Sequence, residues 1–120
     1  MAINYFQDTI FSVESTLSAP AVGTALQVAV NNTFSTRDYT FIVTVANVDT
    51  NVIVRLEGSV DGTNYAPIIA NQTITANGTT VYSVSGRPVK WIRTNWVSEA
   101  GGTAATVTFN VAAAYNGGTF

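Results

Sequence analysis

The sequence NVIVRLEGSVDGTNYAPII, from Asn51 to Ile69, predicts a strand, a turn and a returning strand. Its first half alternates apolar and mainly polar positions, the pattern of a strand that packs against a core on one side. The two predicted faces are Val52, Val54 and Leu56 on one side, and Ile53, Arg55, Glu57 and Ser59 on the other. The pair Asp61-Gly62 tolerates the positive φ angles of a tight hairpin. The stretch contains no reactive group, so it predicts a fold and not a chemistry.

The rest of the chain repeats this pattern of short β-branched runs separated by turn residues. The clearest alternation runs from Asp38 to Val48, and another closes the chain from Thr106 to Tyr115. Asn77-Gly78 predicts a further hairpin. No 3.6-residue pattern lasts for ten residues, so no helix is predicted. We therefore predict an all-β antiparallel β-sandwich of seven to eight strands, with a jelly roll as one candidate arrangement.

The chain of 120 residues is predicted to be one domain with three segments. Residues 1–20 form an N-terminal arm and first strand, residues 21–115 the β-sandwich, and residues 116–120 a C-terminal tail. Two interpretations of the arm stay open: an unstructured terminus, or a segment that lies on a neighbouring subunit. The first eight residues lack the pattern of a signal peptide, and no apolar run is long enough to predict a membrane span.

Charged residues are scarce, at 10% of the chain against about 25% in ordinary proteins. The net charge is −2 and the five basic residues are dispersed, which argues against a nucleic-acid partner. A surface poor in charge is typical of one that neighbouring subunits cover. The chain has no cysteine and no histidine, so disulfides, thiolate nucleophiles, Ser-His triads and the common zinc sites are excluded.

The acidic residues do not predict a catalytic or metal site. They fall mostly in predicted turns and strand starts, with no carboxylate pair for acid–base work. The segment Asp61-Gly62-Thr63-Asn64 resembles the start of a calcium loop, but the position expected to hold a bidentate acid is Gln72. A plain turn is the better interpretation. We predict that the protein is not an enzyme and has no cofactor.

Trp91 and Trp96 are five residues apart in one predicted strand, so they should point to opposite faces of the sheet. One should enter the core, and the other should remain outside or at an edge covered by a neighbour. The outer ring, together with Tyr65 and Tyr82, could instead form a platform that stacks on sugars.

Two pairs of residues share a strand face two positions apart: Arg55 with Glu57, and Trp91 with Arg93. One interpretation is a solvated face with an ordinary ion pair or cation–π contact. The other is a contact strip for another subunit.

Four segments resemble small β-sandwich proteins of tailed bacteriophage virions. They are RLEGSVDGTNY (55–65), TANGT (75–79), VKWIR (89–93) and VSEAGGTAATV (97–107), and the similarity extends over residues 38–115. The resemblance implies a capsid decoration (cement) protein that binds the major capsid protein and stabilises the shell. It implies a place on the capsid surface of the virion after synthesis in the host cytoplasm. Related turn motifs also occur in carbohydrate-binding sandwiches, so a carbohydrate-binding or fibre module on a virion surface is the alternative.

This resemblance gives the arm and tail a role as clamps on adjacent capsid proteins. The predicted partner-binding residues are Ile3, Tyr5, Phe6, Trp91 and Phe120. Arms of this kind become ordered when they bind. Many weak contacts repeated by symmetry together give a high overall affinity, or avidity. A homo-oligomer is expected, with a trimer favoured because it suits the local threefold axes of an icosahedral shell. No nucleic acid or membrane is expected as a partner, and a glycan is the alternative ligand.

Overall fold

The computed structural model describes residues 11–30, 34–87 and 89–115, and every regular element in these ranges is a β-strand. Seven strands have seven or more residues, and two have only two. Accordingly, these ranges contain no helix long and apolar enough to cross a membrane. The strands are β1 (Phe11–Leu17), β2 (Leu26–Gln27), β3 (Ala29–Val30), β4 (Phe34–Ala46), β5 (Asn51–Ser59), β6 (Ala66–Ile74), β7 (Gly78–Val84), β8 (Trp91–Ala100) and β9 (Thr106–Tyr115).

The strands form two antiparallel sheets that pack face to face, which confirms the predicted β-sandwich. The first sheet has the order β1-β9-β4, and both β3 and β7 pair with β4. The second sheet has the order β2-β8-β5-β6. The chain therefore pairs from its two ends inward: β1 with β9, β2 with β8, β4 with β7, and β5 with β6. Nested pairing of this kind, rolled into two sheets, is the jelly-roll arrangement.

The core lies between the inner faces of the sheets, where the predicted alternation is confirmed. The rings of Phe41 and Phe109 stack with their centroids 5.3 Å apart, and both side chains are fully buried. The other inward residues include Tyr39, Val43, Val45, Val52, Val54, Leu56, Ile92, Trp96, Val107 and Val111.

The two tryptophans point to opposite faces, as predicted. Trp96 is the core residue, only 1% exposed, and its indole N–H donates to the backbone oxygen of Ser98 at 2.9 Å. Trp91 is half-buried on the outer face of the second sheet. The register with β5 shifts next to Trp96, because Ile53 faces Ser98 whereas Val54 faces Trp96. Val97 is the extra residue of this bulge and projects outward, 38% exposed.

The hairpin predicted at Asn77-Gly78 is wrong. β6 pairs with β5 in the second sheet and β7 with β4 in the first, so this turn carries the chain from one sheet to the other. The Asn77 side-chain oxygen accepts a hydrogen bond from the Val48 N–H at 2.9 Å, which ties the turn to the end of β4. Gly78 has a φ of 134°, whereas a type I′ hairpin needs left-handed angles at both central residues.

The hairpin predicted at Asp61-Gly62 is confirmed, because β5 and β6 are neighbours in the second sheet. Gly62 has a φ of 78°, in the left-handed region. The connection is a loop of several residues rather than a two-residue turn, since the pairing resumes with Gly58 opposite Ala66.

The stacked phenylalanines give a first prediction. Replacing Phe41 by alanine removes a fully buried ring that contacts Phe109, so we expect the free energy of unfolding to fall by about 3–5 kcal/mol. The exposed Val60→Ala variant should change it by less than about 0.5 kcal/mol. Chemical denaturation measures both values, and similar losses in the two variants would contradict this description of the core.

Candidate contact surface

The outer face of the second sheet carries the described residues that the sequence singled out for contact. The adjacent strands β5 and β8 form cross-strand pairs here, with Arg55 opposite Asn95 and Glu57 opposite Arg93. Ser59 lies opposite Trp91 at the end of the same pairing. We call Arg55, Glu57, Trp91, Arg93 and Asn95 the outer cluster. The β5·β8 register brings them together, although the two strands are more than thirty residues apart in the chain.

Glu57 is the centre of the outer cluster and is only 2% exposed. One carboxylate oxygen, Oε1, accepts a hydrogen bond from Arg93 Nε at 2.6 Å. The other, Oε2, accepts from Arg55 Nε at 2.7 Å and from Asn95 Nδ2 at 3.0 Å. A buried carboxylate is tolerated only when it is paired and hydrogen-bonded in this way. The predicted solvated face is therefore wrong for Glu57, while the predicted ion pair with Arg55 is present.

Two opposing effects act on the pKa of Glu57. Burial raises it, because desolvation disfavours the charged carboxylate. The hydrogen bonds from Asn95, Arg93 and Arg55 favour the charged form and outweigh burial, so the pKa lies below its ordinary value. The carboxylate is consequently ionised at neutral pH. With two guanidinium groups and one carboxylate, the outer cluster carries a net charge of +1.

This network predicts a pH-dependent loss of stability. Replacing Glu57 by glutamine should lower the free energy of unfolding by about 2 kcal/mol at pH 7, because two guanidinium groups lose their charged partner. Since folding lowers the pKa of Glu57, its stabilising effect is complete above the ordinary value of 4.5 and is lost as the pH falls through the folded-state value.

Urea denaturation of wild type and Glu57→Gln between pH 7 and pH 3 measures this difference. The two stabilities should converge on the acid side of about pH 4.5. Asp49→Asn, a change at an exposed carboxylate, serves as the control and should cost less than about 0.5 kcal/mol. A difference between wild type and Glu57→Gln that stays constant down to pH 3 would contradict the role assigned to the ionised carboxylate.

The Trp91 ring packs over the β5–β6 loop. A Cβ atom placed on Gly62 would lie 3.4 Å from the Cη2 and Cζ2 atoms of the ring, so the indole rests on the glycine backbone. The left-handed φ of 78° at this position also favours glycine. Gly62 therefore supports the position of Trp91, and the ring is only half-buried.

The loop itself is held by side-chain hydrogen bonds around Asp61. Its Oδ1 atom accepts from the backbone N–H groups of Thr63 and Asn64, both at 2.8 Å, and from the Ser59 hydroxyl at 2.9 Å. Its Oδ2 atom accepts from the Asn64 amide at 2.7 Å. The backbone N–H of Asn64, followed by that of Thr63, holds the pKa of the Asp61 carboxyl well below its usual range. These contacts agree with the plain turn predicted for this segment.

No group of three or more acidic, histidine or cysteine side chains that could hold a metal ion occurs among residues 11–30, 34–87 and 89–115.

The aromatic residues proposed as a sugar platform do not all share one surface. Trp96 is in the core, and the Tyr82 ring packs inward, 6.2 Å from the ring of Phe41. Tyr65 lies under the guanidinium of Arg93, whose carbon is 3.9 Å from the centre of the ring. Arg93 thus makes its cation–π contact with Tyr65, a residue that the sequence pattern did not connect with it. Of the proposed platform residues, Trp91 in the outer cluster and Tyr65 beside it remain on the outer face.

Of the five predicted partner-binding residues, the structure places only Trp91. Ile3, Tyr5, Phe6 and Phe120 lie outside the described residues. The pairing of β1 with β9 sets Phe11 opposite Ala113, so the start of β1 and the end of β9 lie at the same corner of the first sheet.

No protein-family model matches this chain, nor does any curated protein. Its fold is similar to the crystal structure of the SPBc2 prophage-derived protein YomS, with a TM-score of 0.53 and 10% identity over 88% of this chain and 95% of that chain. A chain of the nora virus structure matches at a TM-score of 0.46, with 18% identity over 92% of this chain and 57% of that one. The Tobacco streak virus coat protein dimer matches at a TM-score of 0.43, with 8% identity over 100% of this chain and 92% of that chain.

These comparisons establish a shared fold in the first case only. At 10% identity, the likeness to YomS concerns the arrangement of strands and says nothing about particular residues. The two similarities with TM-scores under 0.5 support no conclusion about this protein. The class to which the fold assigns this protein is the antiparallel jelly-roll β-sandwich.

Proposed function

We propose that this protein is a structural subunit of a virus particle, and specifically a capsid decoration protein that binds the major capsid protein and stabilises the shell. The observation that carries the proposal is the likeness, over nearly the full length of both chains, to a prophage-derived protein of the same fold. Jelly rolls are common in viral capsids, although a fold alone does not define a function. In this proposal the role is structural and not catalytic.

The outer cluster supplies a rigid surface for such a contact. The hydrogen bonds around Glu57 fix the two arginines, and Gly62 supports the Trp91 ring. Tryptophan and arginine are enriched among the residues that dominate binding energy at protein interfaces. Because the arginines are already oriented, a partner that contacts them would lose less side-chain entropy on binding.

The terminal segments add a second contact in this proposal. Ile3, Tyr5 and Phe6 precede β1, and Phe120 ends the tail beyond β9. Since β1 starts and β9 ends at one corner, we propose that the residues before and after them engage the same neighbouring capsid protein. A homo-oligomer, with a trimer matching a local threefold axis, would present several such corners at once and gain avidity.

Deletion of residues 1–8 tests the role of the arm. The variant should retain its thermal unfolding transition, because the deleted residues precede β1, and should lose cosedimentation with capsids that lack the protein. The matched control replaces only Asn4 and Gln7 by serine and leaves the apolar residues intact; it should still bind. Full binding by the truncated protein would show that the arm is not the clamp.

A carbohydrate-binding role is the second candidate, and one observation favours it. Trp91 is half-buried on the outer face, and Arg93, two residues further along the same strand, covers the Tyr65 ring. Jelly rolls also occur in lectins. The half-buried Trp91 ring lies beside fixed hydrogen-bond donors, an arrangement suited to stacking on a sugar.

Tryptophan fluorescence separates the two candidates. The chain has only two tryptophans, and Trp96 is 1% exposed, so a sugar bound at the outer cluster should change the emission of Trp91 alone. A saturable change in a titration, absent in Trp91→Phe and retained in Val60→Ala, would support the glycan role. No change across a panel of bacterial surface glycans would leave the decoration role as the better proposal.

A further inference from the structure

The sheets of this protein end in edge strands that differ in how they are protected. An edge strand presents unpaired N–H and C=O groups, and proteins usually protect it with charge, proline, bulges or short length. In the first sheet, β1 contains Glu14, and β3 has only two residues. In the second sheet, β2 has only two residues, and β6 contains Pro67 and shifts its register twice against β5.

β7 is the edge strand without these protections. Its sequence, GTTVYSV, has neither charge nor proline, and its pairing with β4 continues without a bulge from Val45 opposite Gly78 to Tyr39 opposite Val84. Among the described residues, no strand pairs with its other side. Val81 is 60% exposed on the outer face. A regular, uncharged edge of seven residues is suited to pairing with another strand.

We infer that β7 is an interface at which a second copy of this chain pairs, strand against strand, about a twofold axis at Val81. The two strands run antiparallel, so the first sheets of both copies join into one continuous sheet. Val81 then faces Val81 of the partner subunit, and Thr79 faces Ser83 of the partner subunit. This arrangement commits to one occupant, which is a second molecule of the same protein.

Self-complementarity is the reason for choosing a second copy. A twofold interface places the same surface on both sides, so it requires groups that can pair with themselves. Hydroxyl groups meet this requirement because each both donates and accepts hydrogen bonds, and β7 has them at Thr79 and Ser83. The Thr79 hydroxyl already shares a hydrogen bond of 3.0 Å with the Thr44 hydroxyl of β4, and its remaining capacity can serve a second partner. The twofold axis at Val81 places the apolar Val81 side chains of the two copies against each other.

The adjacent strand β4 extends this match. Ile42 lies opposite Val81 in the β4·β7 pairing, so the joined sheet would carry an apolar row of four residues, two from each copy. Cross-strand pairs of β-branched residues stabilise sheets in this way. A segment of an unrelated protein would have to supply the same pattern independently.

The interface is small, and this sets the expected affinity. One pair of seven-residue strands covers well under the roughly 800 Å² per partner that stable interfaces bury. Association through β7 should therefore be weak for isolated molecules and strengthened where a shell holds many copies close together. The inference deepens the proposed function by naming a subunit contact, and a twofold contact of this kind can link neighbouring trimers.

Cysteine cross-linking tests the inference. The chain has no cysteine, so Val81→Cys introduces a single thiol. Residues directly opposite in antiparallel strands have Cα atoms about 4.5–5.5 Å apart, within the range of a disulfide. Under mild oxidation at micromolar concentration, Val81→Cys should form a covalent dimer at least tenfold faster than Val60→Cys or Val22→Cys, which are 65% and 52% exposed. Equal rates for the three variants would overturn the inference.

The register has its own test. A mixture of Thr79→Cys and Ser83→Cys chains should cross-link, whereas each variant alone should not. Adding Val81→Lys to both chains should slow that cross-link at least tenfold, since like charges then face each other. Lysine in one chain and glutamate in the other should restore it. Failure of this charge exchange to restore the cross-link would overturn the register, and the position of the axis with it.

These outcomes are independent of those for the proposed function. If the cross-link fails while the wild-type protein still binds capsids, the β7 interface is wrong and the decoration role stands. If Val81→Cys cross-links specifically but the protein binds no capsid, the interface stands and the decoration role is wrong.

Discussion

The pairing of β5 with β8 is the interaction on which both the core and the outer surface depend. Along one face of this pair, Leu56 and Trp96 are directed into the core; along the other, Glu57 meets Arg93. A shift of one residue would exchange the faces, exposing apolar residues and burying the arginines. The hydrogen bonds that Arg93 and Asn95 of β8 donate to Glu57 depend on the observed register, so the outer cluster and the core specify the same arrangement.

Much of the fold could be predicted from the sequence because strand faces are a local property. The alternation along β4 and β5 identifies their buried residues without any knowledge of neighbouring strands, and the core confirms it. The spacing of the two tryptophans likewise shows that they lie on opposite faces. It does not show which one is inside, because that depends on the other sheet.

The candidate site was harder to predict because it depends on register between distant segments. Glu57 is buried only because β8 brings Arg93 and Asn95 beside it, and no local pattern encodes that meeting. The hairpin prediction at Asn77-Gly78 was wrong for a related reason. The dipeptide fits a hairpin locally, but β7 pairs along its whole length with β4 in the other sheet, and a local pattern does not encode that partner.

The nested pairing of the chain also has a consequence for how the protein folds. The edge strand β1 pairs with β9, and the two strands are separated by about a hundred residues in their outermost pair. Closing so large a loop costs entropy before any contact offsets it, and folds dominated by distant pairings form slowly. During synthesis, β1 has no partner until β9, about a hundred residues later, has left the ribosome. The unprotected strand β7 emerges before β8 and β9, so the order of synthesis exposes this edge while the sandwich is still incomplete.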